Sequence, residues 1–220
     1  MAGFFHHESL YRGRELLDKL SALRLTLCGA GAVGSNLAEN LVRHGAGALR
    51  VIDHDRVEAH NISTQIYCQG EVGGWKVEAL RNHLFRACGV EITPVRKMLD
   101  ARNAAVLLKD AELIIDAFDN TRSRQCVQDQ VRAAGLPCLH VGLYADYCEV
   151  VWDEQYRVPG APAGDIEICD YPLARDIVLL AVAVATESTF RWMVDGTRSS
   201  FSATLRDFAV RPLDAAVAGR

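Results

Sequence analysis

The sequence predicts an α/β fold: a doubly wound, mostly parallel sheet with helices on both faces and partly antiparallel strands near the C-terminus. Two observations predict it. Short apolar segments typical of buried strands alternate with amphipathic segments of helical period along most of the 220 residues. A glycine-rich turn also joins the first such strand to the helix after it, which is typical of parallel sheets with right-handed crossovers.

Strands and helices alternate in a regular order along the chain. A helix is expected over residues 8–23, a strand at the start of the segment 23–31, and then a helix over 33–45 that ends at Gly45. Further strands are expected within the segments 48–55, 91–99 and 111–120, and a strand pair within 137–153. The remaining helices are expected in the segments 73–89, 101–110, 121–135 and 171–194.

This order divides the chain into three parts. We predict an N-terminal helical arm over residues 1–22, an α/β domain over residues 23–213 and a flexible tail over residues 214–220. The segment 156–172 is the one long loop-like region, and it is rich in proline, glycine and acidic residues. Loops of that length in compact domains are either functional or poorly ordered.

Composition excludes several classes of protein. The formal net charge is −4 and no block of like charges occurs, so no nucleic-acid partner is expected. No stretch reaches about 18 uninterrupted apolar residues, and the N-terminus lacks a secretory signal, so no membrane is expected either. The seven cysteines are dispersed without a C-x-x-C pair, which argues against structural zinc and favours a cytoplasmic location.

The glycine-rich turn has the spacing of a nucleotide-binding loop. Gly29, Gly31 and Gly34 form a G-x-G-x-x-G pattern directly after the first predicted strand, and Asp53 follows nineteen residues after Gly34. This is the Rossmann-like fingerprint, in which helix N-terminal amides hold phosphate and the acid accepts ribose hydroxyls. An NAD-dependent oxidoreductase is the usual interpretation. The alternatives are a tight structural turn and a surface carboxylate.

Polar residues after Asp53 favour a polyphosphate ligand instead of NAD. Asp55, Asn61 and Gln65 follow it, and Lys76 comes directly after two glycines and a tryptophan, near the start of a predicted helix. Cations are disfavoured at helix N-termini unless an anion lies there. We therefore include all four residues in the candidate nucleotide site, the alternative for Lys76 being an ordinary solvated lysine.

Asp119 is the candidate metal ligand. The segment "LIIDAFDN" places Asp116 at the end of the fourth strand and Asp119 just beyond it, at the edge where open α/β sheets bind ligands. A carboxylate there suits Mg²⁺ held against phosphate oxygens. Capping of the next helix is the alternative role for this segment, and Asn120 or Thr121 can supply the cap while Asp119 faces the ligand.

Taken together, "GAGAVGSN", "VIDHDRVEAHNISTQ", Lys76 and "DAFDN" resemble the ThiF-type adenylyltransferases, relatives of the ubiquitin-activating enzymes. The resemblance covers roughly residues 12–192. It implies an enzyme that uses ATP and Mg²⁺ to adenylate the C-terminal glycine carboxylate of a ubiquitin-fold protein and releases pyrophosphate. The attack joins two anions, and such chemistry requires cationic groups and a metal to offset their repulsion.

The resemblance also assigns roles. The three loop glycines would shape the ATP site, Asp53 would bind the ribose, and Asn61 and Lys76 would contact phosphates. Asp119 would hold Mg²⁺ and orient the α-phosphate.

Two further residues gain roles from the resemblance alone. Arg14 is similar to an arginine that reaches the ATP of the partner subunit in a homodimer, although an exposed helix arginine is the alternative. Cys169 stands where the family can form a thioester or persulfide-linked intermediate, and a structural cysteine is the alternative.

One departure from the family pattern concerns a phosphate-binding cation. The family commonly has N-x-x-R-Q after the second acid, whereas this chain has "NISTQ" with Thr64 at the arginine position. Arg56 or Arg12 could compensate, or the activity could be weakened or lost.

The resemblance as a whole implies a homodimeric adenylyltransferase that acts on a small ubiquitin-fold carrier ending in Gly-Gly. The alternatives are a non-catalytic nucleotide-binding or scaffold subunit, and an NAD-dependent oxidoreductase.

Overall fold

A single eight-stranded sheet forms the centre of the computed structural model, which describes residues 3–160 and 172–213. The strand order is β3-β2-β1-β4-β5-β6-β7-β8. The five strands from β3 to β5 are paired in parallel, and β6, β7 and β8 are added antiparallel. Their bounds are β1 Leu25–Cys28, β2 Leu49–Ile52, β3 Thr93–Val95, β4 Leu113–Asp116, β5 Cys138–Tyr144, β6 Tyr147–Trp152, β7 Phe201–Thr204 and β8 Val210–Pro212.

Helices cover both faces of the sheet, which confirms the predicted fold class. Their bounds are α1 His6–Arg12, α2 Arg14–Ala22, α3 Ala32–Arg43, α4 Lys76–Cys88, α5 Ala104–Leu107, α6 Thr121–Ala134 and α7 Arg175–Asp195. Apolar residues of α2, α3, α4 and α7 share one large core with one side of the strands, whereas those of α5 and α6 form a second core on the other side. Neighbouring residues of β4 point into different cores, as in a sheet buried on both faces.

The strand order creates a crevice at the carboxyl edge of the sheet. The chain runs outward from β1 to β2 and β3, then returns to form β4 on the other side of β1, so the connections diverge there. The backbone is very close at this point: a Cβ on Gly29 would lie 2.9 Å from the carbonyl oxygen of Ala117. The first glycine of the loop is therefore required for close packing as well as for its φ of +101°.

The structure corrects several local predictions. The single N-terminal helix predicted over residues 8–23 is wrong, because Gly13 adopts φ +84° and ψ 149° and separates α1 from α2. Strand β3 is only three residues long and contains Pro94, which an edge strand tolerates. Strands β7 and β8 were not located individually by the sequence, since their segments are short and partly exposed.

Helix α7 is long and apolar enough to cross a membrane by length and composition, and it is the only such helix in the described ranges. Half of its most apolar stretch is buried against the rest of the protein. It packs on α3 and on strands β5, β6 and β7. Buried core helices of α/β domains have these properties, and we interpret α7 as one of them.

Candidate nucleotide site

The glycine-rich loop leads into a helix N-terminus that has no side-chain cap. Gly31 is the N-cap residue of α3, and it provides no side-chain oxygen for the first amides of the helix. The hydroxyl of Tyr67 donates a hydrogen bond of 2.7 Å to the carbonyl of Ala30, and this contact holds the loop in place. Free amides at the start of a twelve-residue helix form an anion-binding position.

Gly34 and Gly31 are predicted to differ sharply on substitution by alanine. A Cβ at Gly34 would lie 2.0 Å from the carbonyl oxygen of Gly29, whereas a Cβ at Gly31 meets no atom within 4 Å. We expect Gly34→Ala to lower the free energy of unfolding by about 1–3 kcal/mol or more. We expect Gly31→Ala to fold normally and to weaken ATP binding, because its open face would meet the phosphates in the predicted ATP site. Urea denaturation and ATP titration of both variants test this, and equal stability of the two would contradict it.

Asp53 braces the loop from the end of β2. Its Oδ2 accepts a hydrogen bond of 2.7 Å from the amide of Ala30, and its Oδ1 accepts one of 2.7 Å from the amide of Asp55. Burial raises the pKa of this carboxyl, although the nearby Lys76 charge and the two amides oppose the rise. Each carboxylate oxygen of Asp53 retains a second lone pair that can accept a hydrogen bond from a ribose hydroxyl. The predicted contact between Asp53 and a ribose stays a prediction.

Lys76 lies beside both acids that follow β2. Its Nζ lies 3.1 Å from Oδ2 of Asp55, and its side chain is only 10% exposed. Its own amide donates to the carbonyl of Asp55, which holds the start of α4 against the end of β2. The structure therefore brings Lys76 and the two acids together as the sequence predicts, with the lysine charge paired to Asp55.

The segment after β2 contains two buried amide side chains. Oδ1 of Asn61 accepts a hydrogen bond of 2.9 Å from the amide of Glu58 and caps a 3-10 helix over Ala59–Ser63. Oε1 of Gln65 is buried and has no hydrogen-bond partner in the described part of the chain. Buried polar atoms are rarely unpaired in folded proteins, so this oxygen is available to accept a hydrogen bond from a water or a ligand.

Asp119 lies between β4 and α6 and is exposed. The cap of α6 is supplied by Asn120, one of the two predicted candidates, whose Oδ1 accepts from the amide of Ser123 at 2.8 Å. No hydrogen bond or ion pair engages the Asp119 carboxylate within the described residues. Among those residues the single cluster with three potential metal ligands is Asp53, His54 and Asp55, and Asp119 is not part of it. One carboxylate together with substrate phosphates is nevertheless a common way to hold Mg²⁺.

Two predicted residues are not brought to this edge within one chain. Arg14 lies at the start of α2 and lines a cleft with Gly45, beyond the opposite end of α3, so its predicted role requires a second copy of the chain. Arg12 pairs with Glu8 and Glu187, and its guanidinium carbon lies 3.8 Å above the ring of Phe190. Within one chain Arg12 is therefore already engaged away from Thr64, and its compensating role stays a prediction.

The predictions for Arg56 and Cys169 remain to be compared with the structure. The guanidinium of Arg56 stacks on the ring of Trp75 at 3.8 Å and donates to the carbonyl of Gly73. It is therefore already engaged near the start of α4. Cys169 lies outside the described residues.

The sequence missed a buried ionic network beneath the site. His140 of β5 donates from Nδ1 to Oδ2 of Asp116 at 2.8 Å, and its Nε2 lies 3.2 Å from Oδ1 of Asp153. Arg124 of α6 lies 3.6 Å from the same Asp116 oxygen and donates to the hydroxyl of Tyr156 at 2.9 Å. A single histidine in an apolar strand carries no spacing signal, and only the aspartate at the end of β4 could have indicated this network.

Comparison with known proteins agrees with this geometry. The family model described as the ThiF family matches residues 7–157. The sulfur carrier protein ThiS adenylyltransferase of Bacillus subtilis is 32% identical over 153 residues, which is 67% of this chain and 46% of that protein. The SAMP-activating enzyme E1 of Haloferax volcanii is 30% identical over 135 residues, which is 60% of this chain and 50% of that protein. The chain thus spans about half the length of the curated relatives it matches.

Solved structures show the same fold at lower identity. The structure of E. coli MccB with AMPCPP and MccA has a TM-score of 0.80 at 15% identity, covering 96% of this chain and 69% of that one. The E. coli tRNA N6-threonylcarbamoyladenosine dehydratase TcdA has a TM-score of 0.74 at 19% identity, covering 86% and 93%. The family model spans well over half of the chain, and the loop, the acids and Lys76 lie at one edge of a sheet with this topology. The chain belongs to the ThiF family.

Proposed function

We propose that this protein is an ATP-dependent adenylyltransferase that activates the C-terminal carboxylate of a small ubiquitin-fold carrier protein. One observation carries the proposal. The carboxyl edge of β1, β2 and β4 brings together the uncapped start of α3, the buried Lys76 and the exposed Asp119. Anion-binding amides, a cation and a free carboxylate are the groups that hold a metal-bound triphosphate.

Each of these groups has a role in adenylation that follows from its charge. The amides at the start of α3 and the ammonium of Lys76 bind the phosphates and offset the negative charge that builds up when a carboxylate attacks the α-phosphate. Asp53 and the unpaired Gln65 oxygen accept hydrogen bonds from the nucleoside. Mg²⁺, held by Asp119, would supply Lewis-acid stabilisation of the departing pyrophosphate. The products are a carrier acyl-adenylate and pyrophosphate.

The class of carrier is inferred from the names of relatives. The names of the matched proteins specify ThiS and SAMP as what they adenylate or activate. We propose a carrier of that class ending in Gly-Gly, a homodimer in which Arg14 reaches the partner's site, and a cytoplasmic location. A later transfer of the activated carboxyl group to a thiol, with AMP as leaving group, would fall to Cys169.

ATP–pyrophosphate exchange tests the proposal. We expect label to pass from pyrophosphate into ATP only when Mg²⁺ and a ubiquitin-fold carrier ending in Gly-Gly are present. The same carrier without its terminal glycine is the matched control and should support no exchange. Titration with NAD in place of ATP should show no comparable binding, whereas tight NAD binding without ATP binding would favour the oxidoreductase interpretation.

The non-catalytic alternative is favoured by Thr64 and by the pairing of Lys76 with Asp55. A scaffold subunit would bind ATP but give no exchange with any carrier. Under that alternative, Thr64→Arg would raise exchange from the background, whereas an active wild-type enzyme would already support it.

A further inference from the structure

The residue that stands at the family's arginine position lies against the start of α3. Nδ2 of Asn36 donates to the carbonyl of Thr64 at 2.9 Å and to the carbonyl of Ala32 at 2.7 Å. One amide group therefore joins Thr64 to the first turn of the helix whose free amides form the anion-binding position. An arginine at position 64 would bring a cation beside the first turn of α3, and Thr64 provides none.

A cation reaches the same place from a distant part of the chain. Nη1 of Arg175, the first residue of α7, lies 3.4 Å from the carbonyl oxygen of Ser63, the residue before Thr64. The side chains of Arg175 and Asn36 also line one cleft between α3 and α7. The guanidinium is thus within one peptide unit of the missing arginine's position, although it is 111 residues away in sequence.

The packing of α7 on α3 explains why Arg175 arrives at this edge. Nδ2 of Asn40 donates to the hydroxyl of Thr186 at 2.8 Å, and the rings of His44 and Phe190 lie 5.6 Å apart. Rising residue numbers on α3 therefore meet rising numbers on α7, so the two helices run in parallel and begin at the same edge. The start of α7 is held by a hydrogen bond of 3.3 Å from the amide of Ala174 to the carbonyl of Ala145.

The charge of Arg175 is not neutralised within the described residues. It forms no ion pair with a carboxylate there, and its position at a helix N-terminus is unfavourable for a cation. The acid across the cleft, Glu39, is already paired with Arg43 and lies near His83. An anionic ligand at the start of α3 would neutralise the charge of Arg175.

We propose that Arg175 binds the phosphates of ATP and supplies from α7 the cation that position 64 lacks. This inference rests on the proposed function, because it assumes that ATP is the ligand of the loop. Arginine suits the role because its guanidinium forms paired, charge-assisted hydrogen bonds to phosphate oxygens.

ATP binding by isothermal titration tests the proposal in the full-length chain. We expect Arg175→Gln to weaken Mg-ATP binding about 10- to 100-fold, which is the usual effect of losing a charge-assisted hydrogen bond. Adenosine binding should be unchanged, because it has no phosphate. Arg43→Gln is the matched control: it removes an arginine from the same cleft that is already paired with Glu39, and it should leave ATP affinity unaltered.

A double variant that moves the cation from position 175 to position 64 distinguishes phosphate binding by Arg175 from a purely structural role. Thr64→Arg added to Arg175→Gln should restore most of the lost ATP affinity, and a merely misfolded variant would not be rescued. Equal ATP affinity of Arg175→Gln and wild type would overturn the inference while leaving the proposed function intact. Failure of the wild type to bind ATP at all would instead contradict the proposed function, and with it this assignment.

Discussion

Asp119→Asn is expected to abolish most ATP–pyrophosphate exchange while leaving the protein as stable as the wild type. The loss should be about 10²- to 10³-fold, as for removal of one group that stabilises transition-state charge. The physical reason is that an amide oxygen carries no charge with which to hold Mg²⁺ against the phosphates. Exchange rates at several Mg²⁺ concentrations measure the effect, and extra metal should recover part of the activity if metal affinity is what the substitution weakens.

The neighbouring residue provides the matched control for Asp119. Asn120→Ala removes the side-chain cap of α6 and should lower the free energy of unfolding by about 1 kcal/mol. We expect the two adjacent variants to show opposite behaviour, one losing activity and the other stability. An Asp119→Asn variant with wild-type exchange would remove Asp119 from the mechanism.

Asp116→Asn is expected to cause the largest loss of stability, about 3–5 kcal/mol, because it leaves buried cations without their counter-charge. Asp116 is fully buried, and its carboxylate faces both Arg124 and His140. Burial by itself would raise the pKa of this carboxyl, but the Arg124 charge and the His140 hydrogen bond outweigh it and lower the pKa. Asp129→Asn on the exposed side of α6 makes the same chemical change and should alter stability by less than about 0.5 kcal/mol.

The same network should make stability depend on pH in a defined way. Burial opposes protonation of His140, but its hydrogen bonds to Asp116 and Asp153 raise its pKa. A raised histidine pKa adds stability below the unfolded value of about 6.5, and that part is lost as pH rises through the folded pKa. The lowered pKa of Asp116 adds stability above about 3.9, which is lost as pH falls through the folded pKa.

Urea denaturation between about pH 2 and pH 8 measures both limbs. The wild type should lose stability towards the alkaline end of this range as His140 deprotonates. The Asp116→Asn variant should show a weaker dependence, because its histidine lacks one carboxylate partner. Parallel pH profiles for the two proteins would show that this network does not control the dependence.

The sequence predicted the parts of the site that depend on local pattern. The loop glycines and Asp53 were identified because strand, turn, helix and acid follow one another at spacings that parallel sheets impose. Lys76 was identified because a cation near a helix start indicates an anion there. The cap at Asn120 was among the predicted options, since capping involves residues three apart in the chain. The structure places these residues at one edge of the sheet, and their contacts with ATP stay predictions.

Long-range side-chain contacts were beyond the reach of the sequence. Nothing local indicates that Arg175 contacts Ser63, or that His140 joins Asp116 to Asp153, because each contact depends on which elements are adjacent in the sheet and helix layers. The pairing of Lys76 with Asp55 likewise depends on how the start of α4 docks on the end of β2.

The sequence by itself determined the fold class, the family and the position of the glycine-rich loop, since periodicity, motif spacing and close-range glycine geometry are properties of short segments. Only the tertiary structure decided which charged side chains share the site, because helix packing and strand order bring residues together from more than 100 positions apart. Position 64 shows the difference most clearly: the sequence shows a missing cation there, and the fold places Arg175 beside it.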